Sequence, residues 1–275
     1  MNKKSMLQVH HSRPLRRALQ TIGLLTALTA LPASAQVQAA QPVRTVVLVH
    51  GAWADGSSWS KVIPLLEAKG LHVVSVQHPL TSIADDVAAT NRLIDAQTGP
   101  VLLVGHSYGG AIITEAGNDP KVAGLVYVAA YAPDEGETLG ERVKPFGATP
   151  AFAEIYPIDS GYLLMSAKGI AEDFAQDLSA TEQATLLATQ GATQSAILGT
   201  PITAAAWHNK PSWFVIAAND RTIAPQQQRA EAARMGATVL TVNSSHVAML
   251  AKPREVAQFI IAAAAGKTAT STTQK

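Results

Sequence analysis

Gly105-His106-Ser107-Tyr108-Gly109 restricts the folds open to this chain more than any other stretch. It reads G-x-S-x-G. Residues 101–104 before it, Val-Leu-Leu-Val, form an apolar run suited to a buried strand. Residues 110–117 after it can open a helix against that strand. A serine on a sharp strand-to-helix turn points its hydroxyl away from the sheet and lies beside free N–H groups at a helix start. The flanking glycines suit a turn in which backbones pass closely. The same pattern also fits a glycine-rich turn whose serine only caps the helix, so the rest of the chain must decide.

The pattern along the chain supplies that context. Strands are expected at residues 45–50, 72–76, 101–104 and 122–128, and helices at 59–69, 83–96 and 110–117. Such alternation implies crossover units and a parallel sheet. The rhythm breaks between residues 131 and 207, where Pro133, Pro145, Pro150, Pro157 and Pro201 interrupt short helical patterns such as 171–178 and 181–188. Apolar residues persist there, so the stretch reads as a helical insertion and not as a linker. The rhythm returns with strands at 213–218 and 238–242 and helices at 225–235 and 253–265. The expected class is α/β: a mostly parallel, doubly wound sheet with an inserted helical cap. Residues 36–133 and 208–266 form its core, 134–207 the cap and 267–275 a polar, disordered tail.

Residues 1–35 are read as a secretory signal peptide. Lys3, Lys4, Arg13, Arg16 and Arg17 give a basic start, residues 18–31 are mostly apolar, and Ala33-Ser34-Ala35 is an A-x-A site with cleavage after Ala35. Ala39-Ala40 is the fallback site. Gln20 stands where a twin-arginine signal prefers an apolar residue, which favours general secretion and a periplasmic or secreted product. The whole chain carries 21 basic and 20 acidic residues. Without the signal it carries 16 and 20, a net charge of −4. That balance gives no electrostatic case for nucleic acid or for stable membrane association. The chain has no cysteine, which removes thiol nucleophiles and thiolate metal sites.

Ligands of open α/β sheets bind beyond the carboxyl ends of the strands. Asp220 follows strand 213–218 by two residues, and His246 lies on the loop Asn243-Ser244-Ser245-His246 after strand 238–242. A serine hydroxyl needs a base, and the base needs an orienting group. The order Ser107, Asp220, His246 is that of the α/β-hydrolases. Asp134, past the strand at 122–128, is the alternative acid. The backbone amides of Ala52 and Tyr108 are the expected oxyanion donors. Gly51, Trp53, Tyr131, Met165 and Trp207 are pocket candidates. No H-x-H or H-E-x-x-H spacing suggests a metal, and no cofactor is expected.

These residues also carry a resemblance. Val47-Leu48-Val49-His50-Gly51-Ala52, the spaced Trp53 and Trp59, Pro64-Leu65-Leu66-Glu67-Ala68, Gly105 to Gly110, and Ser245-His246-Val247-Ala248-Met249-Leu250 with Lys252-Pro253 resemble the α/β-hydrolases related to plant methyl esterases and hydroxynitrile lyases. The resemblance covers residues 44–133 and 211–264 and is weak in the cap. The lyase branch has threonine where this chain has Gly51, and lysine where it has Val247; Lys252 stands too far along to replace that lysine. The resemblance therefore implies a carboxylesterase acting on small apolar esters. A cofactor-free perhydrolase, a carbon–carbon bond hydrolase or a slow-turnover ligand receptor are the alternatives.

Overall fold

The computed structural model describes residues 43–266. The expected signal peptide, its cleavage site and the 267–275 tail lie outside them.

Six strands form one parallel sheet in the order β2-β1-β3-β4-β8-β9. They are β1 (Thr45–Val49), β2 (His72–Ser75), β3 (Val101–His106), β4 (Val122–Val128), β8 (Ser212–Ala217) and β9 (Thr238–Val242). Every residue of β3 is buried, as are most of β1, β4 and β8. Strands covered on both faces read as continuous apolar runs, which is why their positions were legible. The edge strand β9 is largely half-exposed and alternates. The helices between the strands of this sheet are α1 (Ile63–Glu67), α2 (Ile83–Asp95), α3 (Gly109–Ala116) and α7 (Pro225–Arg234), and α8 (Ala248–Ala251) and α9 (Pro253–Ala264) follow the last strand. Helix α2 packs beside α3, and α1 beside α9. The helix expected over 59–69 is shorter: Pro64 sits in its first turn, and Gly56–Trp59 forms a separate tight turn capped by Asp55.

The chain leaves β1 toward β2 on one side and reaches β3 on the other. This makes the β1/β3 junction the topological switch point, where a crevice opens beyond the strand ends. Ala52 follows β1 and Ser107 follows β3, so both stand at that crevice.

The insertion between β4 and β8 carries helices α4 (Leu139–Val143), the single turn α5 (Ala167–Gly169) and α6 (Ala180–Thr189). Capping boxes at Thr138/Glu141 and Ser179/Glu182 open α4 and α6. The pattern at 171–178 is not an α-helix but a wide turn at Ile170–Phe174. The insertion also holds a three-stranded antiparallel sheet, β5 (Ile155–Pro157), β6 (Tyr162–Met165) and β7 (Thr193–Gln194), which the sequence reading did not contain. Strands of two to four residues are too short for alternation to show.

Candidate active site

Ser107 sits on the turn between β3 and α3 with a φ of 54°. A non-glycine residue held there is strained by about 1–2 kcal/mol, and the surrounding backbone must fix it. It does so from three directions. The Ser107 N–H donates to Val128 O (3.2 Å), while its carbonyl accepts from Tyr131 N (3.2 Å) and Gly110 N (3.0 Å). Glycine at 105 is required by close approach, since a Cβ there would stand 2.5 Å from the Gly109 carbonyl oxygen. At Gly51 a Cβ would lie 2.8 Å from the Ser107 Cβ, so the loop after β1 rests directly against the elbow.

His246 is fully buried, and its Nδ1–H donates to Asp220 Oδ2 at 2.7 Å. With Nδ1 carrying the proton, Nε2 is the basic nitrogen, and it has no hydrogen-bond partner among the described residues. A serine–histidine bond in a resting site of this kind commonly tightens only with substrate bound. Asp220 accepts three further hydrogen bonds: Thr222 N (2.7 Å) and Ile223 N (2.9 Å) on Oδ1, and Gln228 Nε2 (2.7 Å) on Oδ2. Gln228 also accepts from Ala217 N at 2.9 Å through Oε1, tying the carboxylate back to β8.

The histidine loop is held as firmly. His106 Nε2–H donates to the His246 carbonyl at 3.0 Å, and Asp177 accepts from Ser245 N at 2.7 Å. Phe174, from the wide turn of the insertion, packs its ring 5.0 Å from the His246 ring. Burial, reinforced by His246, holds the His106 pKa well below the ordinary value, so this imidazole is neutral. Gln228, Asp177, His106 and Phe174 were not singled out in the sequence. Only His106 carried a signal, as the variable position before the elbow serine.

Ala52 and Tyr108 lie at the strand ends that frame Ser107, and both line the cavity in front of it. Neither of their backbone N–H groups donates to another described residue. They are free to meet an oxyanion. The cavity has an empty volume of about 520 Å³ and runs between the sheet and the insertion. Trp53 and Tyr131 line the core side, and Phe152, Leu163, Ile197 and Leu198 the insertion side. Thr193 and Thr222 add hydroxyls, and no lining side chain is a carboxylate, a lysine or an arginine. Trp53 joins the two sides: its amide donates to Thr193 Oγ1 and its indole N–H to Leu163 O, each at 3.2 Å. A second cavity of about 380 Å³ shares Tyr131, Leu139, Phe152 and Leu198 with the first and adds Gly140 and Val143.

Four sequence candidates fall elsewhere. Gly51 lines neither cavity and packs instead against Ser107 and His106. Met165 is fully buried in β6, where its backbone bonds to the Gln190 side chain, and it lines neither cavity. Trp207 is likewise not a lining residue; its indole donates to Pro133 O at 3.1 Å, and Arg234 sits 5.2 Å over its ring. Asp134 pairs with His208 at 2.7 Å and makes no bond to His246. Among the described residues no cluster of histidine and carboxylate side chains could hold a metal ion, and no helix is long and apolar enough to cross a membrane.

A parallel sheet with an elbow serine at its switch point, a carboxylate and a histidine beyond the ends of its last two strands, and an insertion after β4 defines the serine α/β-hydrolase arrangement. The chain belongs to the alpha/beta hydrolase family, whose profile matches residues 46–259. It is 33% identical to a pyrethroid hydrolase of Sphingobium wenxiniae over 158 residues, 49% of this chain and 52% of that protein. It is 31% identical to a carbendazim hydrolyzing esterase of Nocardioides sp. over 34% of this chain and 44% of the relative. These alignments thus span about half the length of the relatives. Methylesterase 8 of Arabidopsis thaliana is 26% identical over 66% of this chain and 75% of its own length. Among solved structures, a pyrethroid hydrolase from Sphingobium faniae superposes with a TM-score of 0.71 at 24% identity, covering 81% of this chain and 97% of that one.

Proposed function

We propose that this protein is a carboxylic ester hydrolase for neutral esters with apolar acyl or alcohol groups. The observation that carries the reading is the His246–Asp220 bond of 2.7 Å, which leaves a buried Nε2 without a hydrogen-bond partner among the described residues, while the elbow Ser107 lines an uncharged cavity. Ser107 Oγ attacks the ester carbonyl as His246 Nε2 takes its proton. The Ala52 and Tyr108 amides hold the resulting oxyanion; each such donor contributes on the order of 3 kcal/mol. The tetrahedral adduct collapses, His246 returns the proton to the departing alkoxide, and the acyl group stays on Ser107. Water, deprotonated by the same Nε2, then releases the acid. Asp220 holds the imidazole in the needed tautomer and stabilises its cation.

The relatives named as hydrolases and esterases support ester chemistry. Val247 supports it against cyanohydrin cleavage, because a departing cyanide needs a cation near the histidine and Val247 is buried and neutral. Export is part of the proposal, motivated by the basic and apolar start and the Ala33-Ser34-Ala35 site. Its check is mass spectrometry of the native protein, with Gln36 expected as the first residue.

A panel of p-nitrophenyl esters, one pyrethroid, mandelonitrile, and peracid formation from acetate and peroxide tests the activity. Ester hydrolysis should exceed the other reactions at near-neutral pH. Faster cyanide release or peracid formation would replace this reading. Binding of the esters without turnover would make the pocket a receptor.

A further inference from the structure

Behind the oxyanion site lies a buried polar chain that takes no part in the steps above. Asp86, on α2, is fully buried. Its Oδ2 accepts the Tyr108 hydroxyl at 2.7 Å, and its Oδ1 accepts Leu80 N at 2.9 Å. His78 Nδ1 stands 3.4 Å from the same Oδ2, in contact with it but without a hydrogen bond to any described residue. On its other side His78 donates through Nε2 to the His50 carbonyl at 3.0 Å. The His78 ring also stacks on the His50 ring, with centroids 3.7 Å apart and planes within 7°. His50 in turn donates through Nδ1 to the Gly51 carbonyl at 2.9 Å. One end of this chain therefore grips Tyr108, whose amide is one oxyanion donor. On the other side Asp86 packs against His78, and His78 and His50 hold the His50 and Gly51 carbonyls, which precede Ala52, whose amide is the second.

Burying a carboxylate is expensive, and well-packed apolar residues often do as well or better for stability. Asp86 is nonetheless enclosed, with the Tyr108 phenol and the His78 imidazole beside it. Burial, and next the Asp86 charge, hold the Tyr108 hydroxyl protonated far above the ordinary range. It is thus a permanent donor to that carboxylate. Burial, then His78, holds the His50 pKa down at about 3, so His50 is neutral. The two backbone segments come from different strands, β1 and β3. No backbone hydrogen bond joins Ala52 to Tyr108 among the described residues. Their separation decides whether both amides reach one oxygen, and donors must lie at about 2.7–3.1 Å from it.

We propose that Asp86 is a positioning residue for the oxyanion site: through its hydrogen bond to the Tyr108 hydroxyl on one side and its packing contact with His78 on the other, it sets the spacing of the Tyr108 and Ala52 amides. The inference rests on the hydrolase reading and extends it to residues that never touch substrate. It predicts a defect specific to the transition state, because ground-state binding in the apolar cavity does not depend on the amide spacing.

The test uses Tyr108→Phe, Asp86→Asn and the double variant in the full-length protein. Asp86→Asn keeps the shape and one acceptor oxygen, and Tyr108→Phe keeps the ring and the backbone amide. In each single variant kcat on a short p-nitrophenyl ester should fall by about tenfold or more with KM held within about twofold. Affinity for a trifluoromethyl ketone, whose adduct carries the oxyanion, should fall by the same factor. Affinity for the matching unreactive amide should not change. The double variant should lose little more than the worse single variant, because both break one chain. Unchanged kcat, equal losses for ketone and amide, or additive losses in the double variant would each overturn the proposal. Fluorophosphonate labelling of Ser107 separates this outcome from failure of the hydrolase reading: labelling persists if only the spacing idea is wrong, and is absent from the parent protein if the reading itself is wrong. Should Asp86→Asn fail to fold, Tyr108→Phe with the ketone and amide pair decides alone.

Discussion

His246 Nδ1 donates to Asp220 Oδ2 across 2.7 Å, and that single bond decides which imidazole nitrogen can act as base. The acid is itself fixed by Thr222, Ile223 and Gln228, so the tautomer is set by β8 and the turn that follows it.

Asp220→Asn should therefore leave the fold intact and lower kcat by about 10⁴-fold, the loss seen when the equivalent aspartate of a serine protease becomes asparagine. Asp134→Asn, which touches only the exposed His208 pair and nearby backbone, should change kcat little. Steady-state kinetics on a short p-nitrophenyl ester with both variants checks the assignment. The opposite ranking would move the acid to Asp134.

Gln228 gives a subtler expectation. Replacing it by leucine strips one bond from Asp220 and leaves the buried Ala217 N–H without an acceptor. Stability should fall by about 1–3 kcal/mol for the unmet buried group. Activity should fall well short of the Asp220→Asn loss, because His246, Thr222 and Ile223 still hold the carboxylate. Chemical denaturation paired with kcat measurements reads both effects. A fully stable, fully active variant would show that Gln228 holds nothing.

Asp220 and His246 could be found in the sequence because each follows an apolar strand by a few residues, where this sheet architecture exposes side chains. Their supports could not. Gln228 and Asp177 earn their places through partners brought together by the fold, Asp177 across 68 positions and Gln228 across 8 on the next helix. Nothing in a glutamine-rich helix start distinguishes Gln228 from Gln226. Met165 and Trp207 mark the same limit from the other side. A large apolar residue that fills the interior of the insertion and one that lines a cavity look alike in sequence. Only packing assigns Trp53 and Tyr131 to the cavity and the other two elsewhere.

The adjoining cavity at Leu139, Gly140 and Val143 predicts how size selection works. Val143 lines the second cavity and not the first. Val143→Trp should shorten the accepted substrate while leaving the catalytic end untouched. The kcat/KM for a bulky or long-chain ester should fall by about tenfold or more, in line with the cost of denying a few methylenes their pocket. The value for the acetate should stay within about twofold. Equal losses for both esters would make the second cavity an entry route and not a place where substrate rests.

Buried neutral histidines predict an acid limit to stability. His50 has an ordinary value of 6.5 in the unfolded chain and is held at about 3 in the fold by burial and by His78. Between those values the unfolded chain binds a proton that the folded chain refuses. Stability must then fall as pH drops from about 6.5 toward 3, and it is unaffected by this group above that window. His106, depressed in the same direction by burial and His246, adds to the slope. Thermal melting at pH 7, 5.5 and 4 should show Tm dropping across the series. His50→Gln removes one of the two titrations. Its Tm should fall less between pH 7 and pH 4 than that of the parent, whatever its starting value at pH 7. A parent Tm that is flat over this range, or a His50→Gln slope as steep as the parent's, would show that the buried imidazole takes up its proton without cost to the fold.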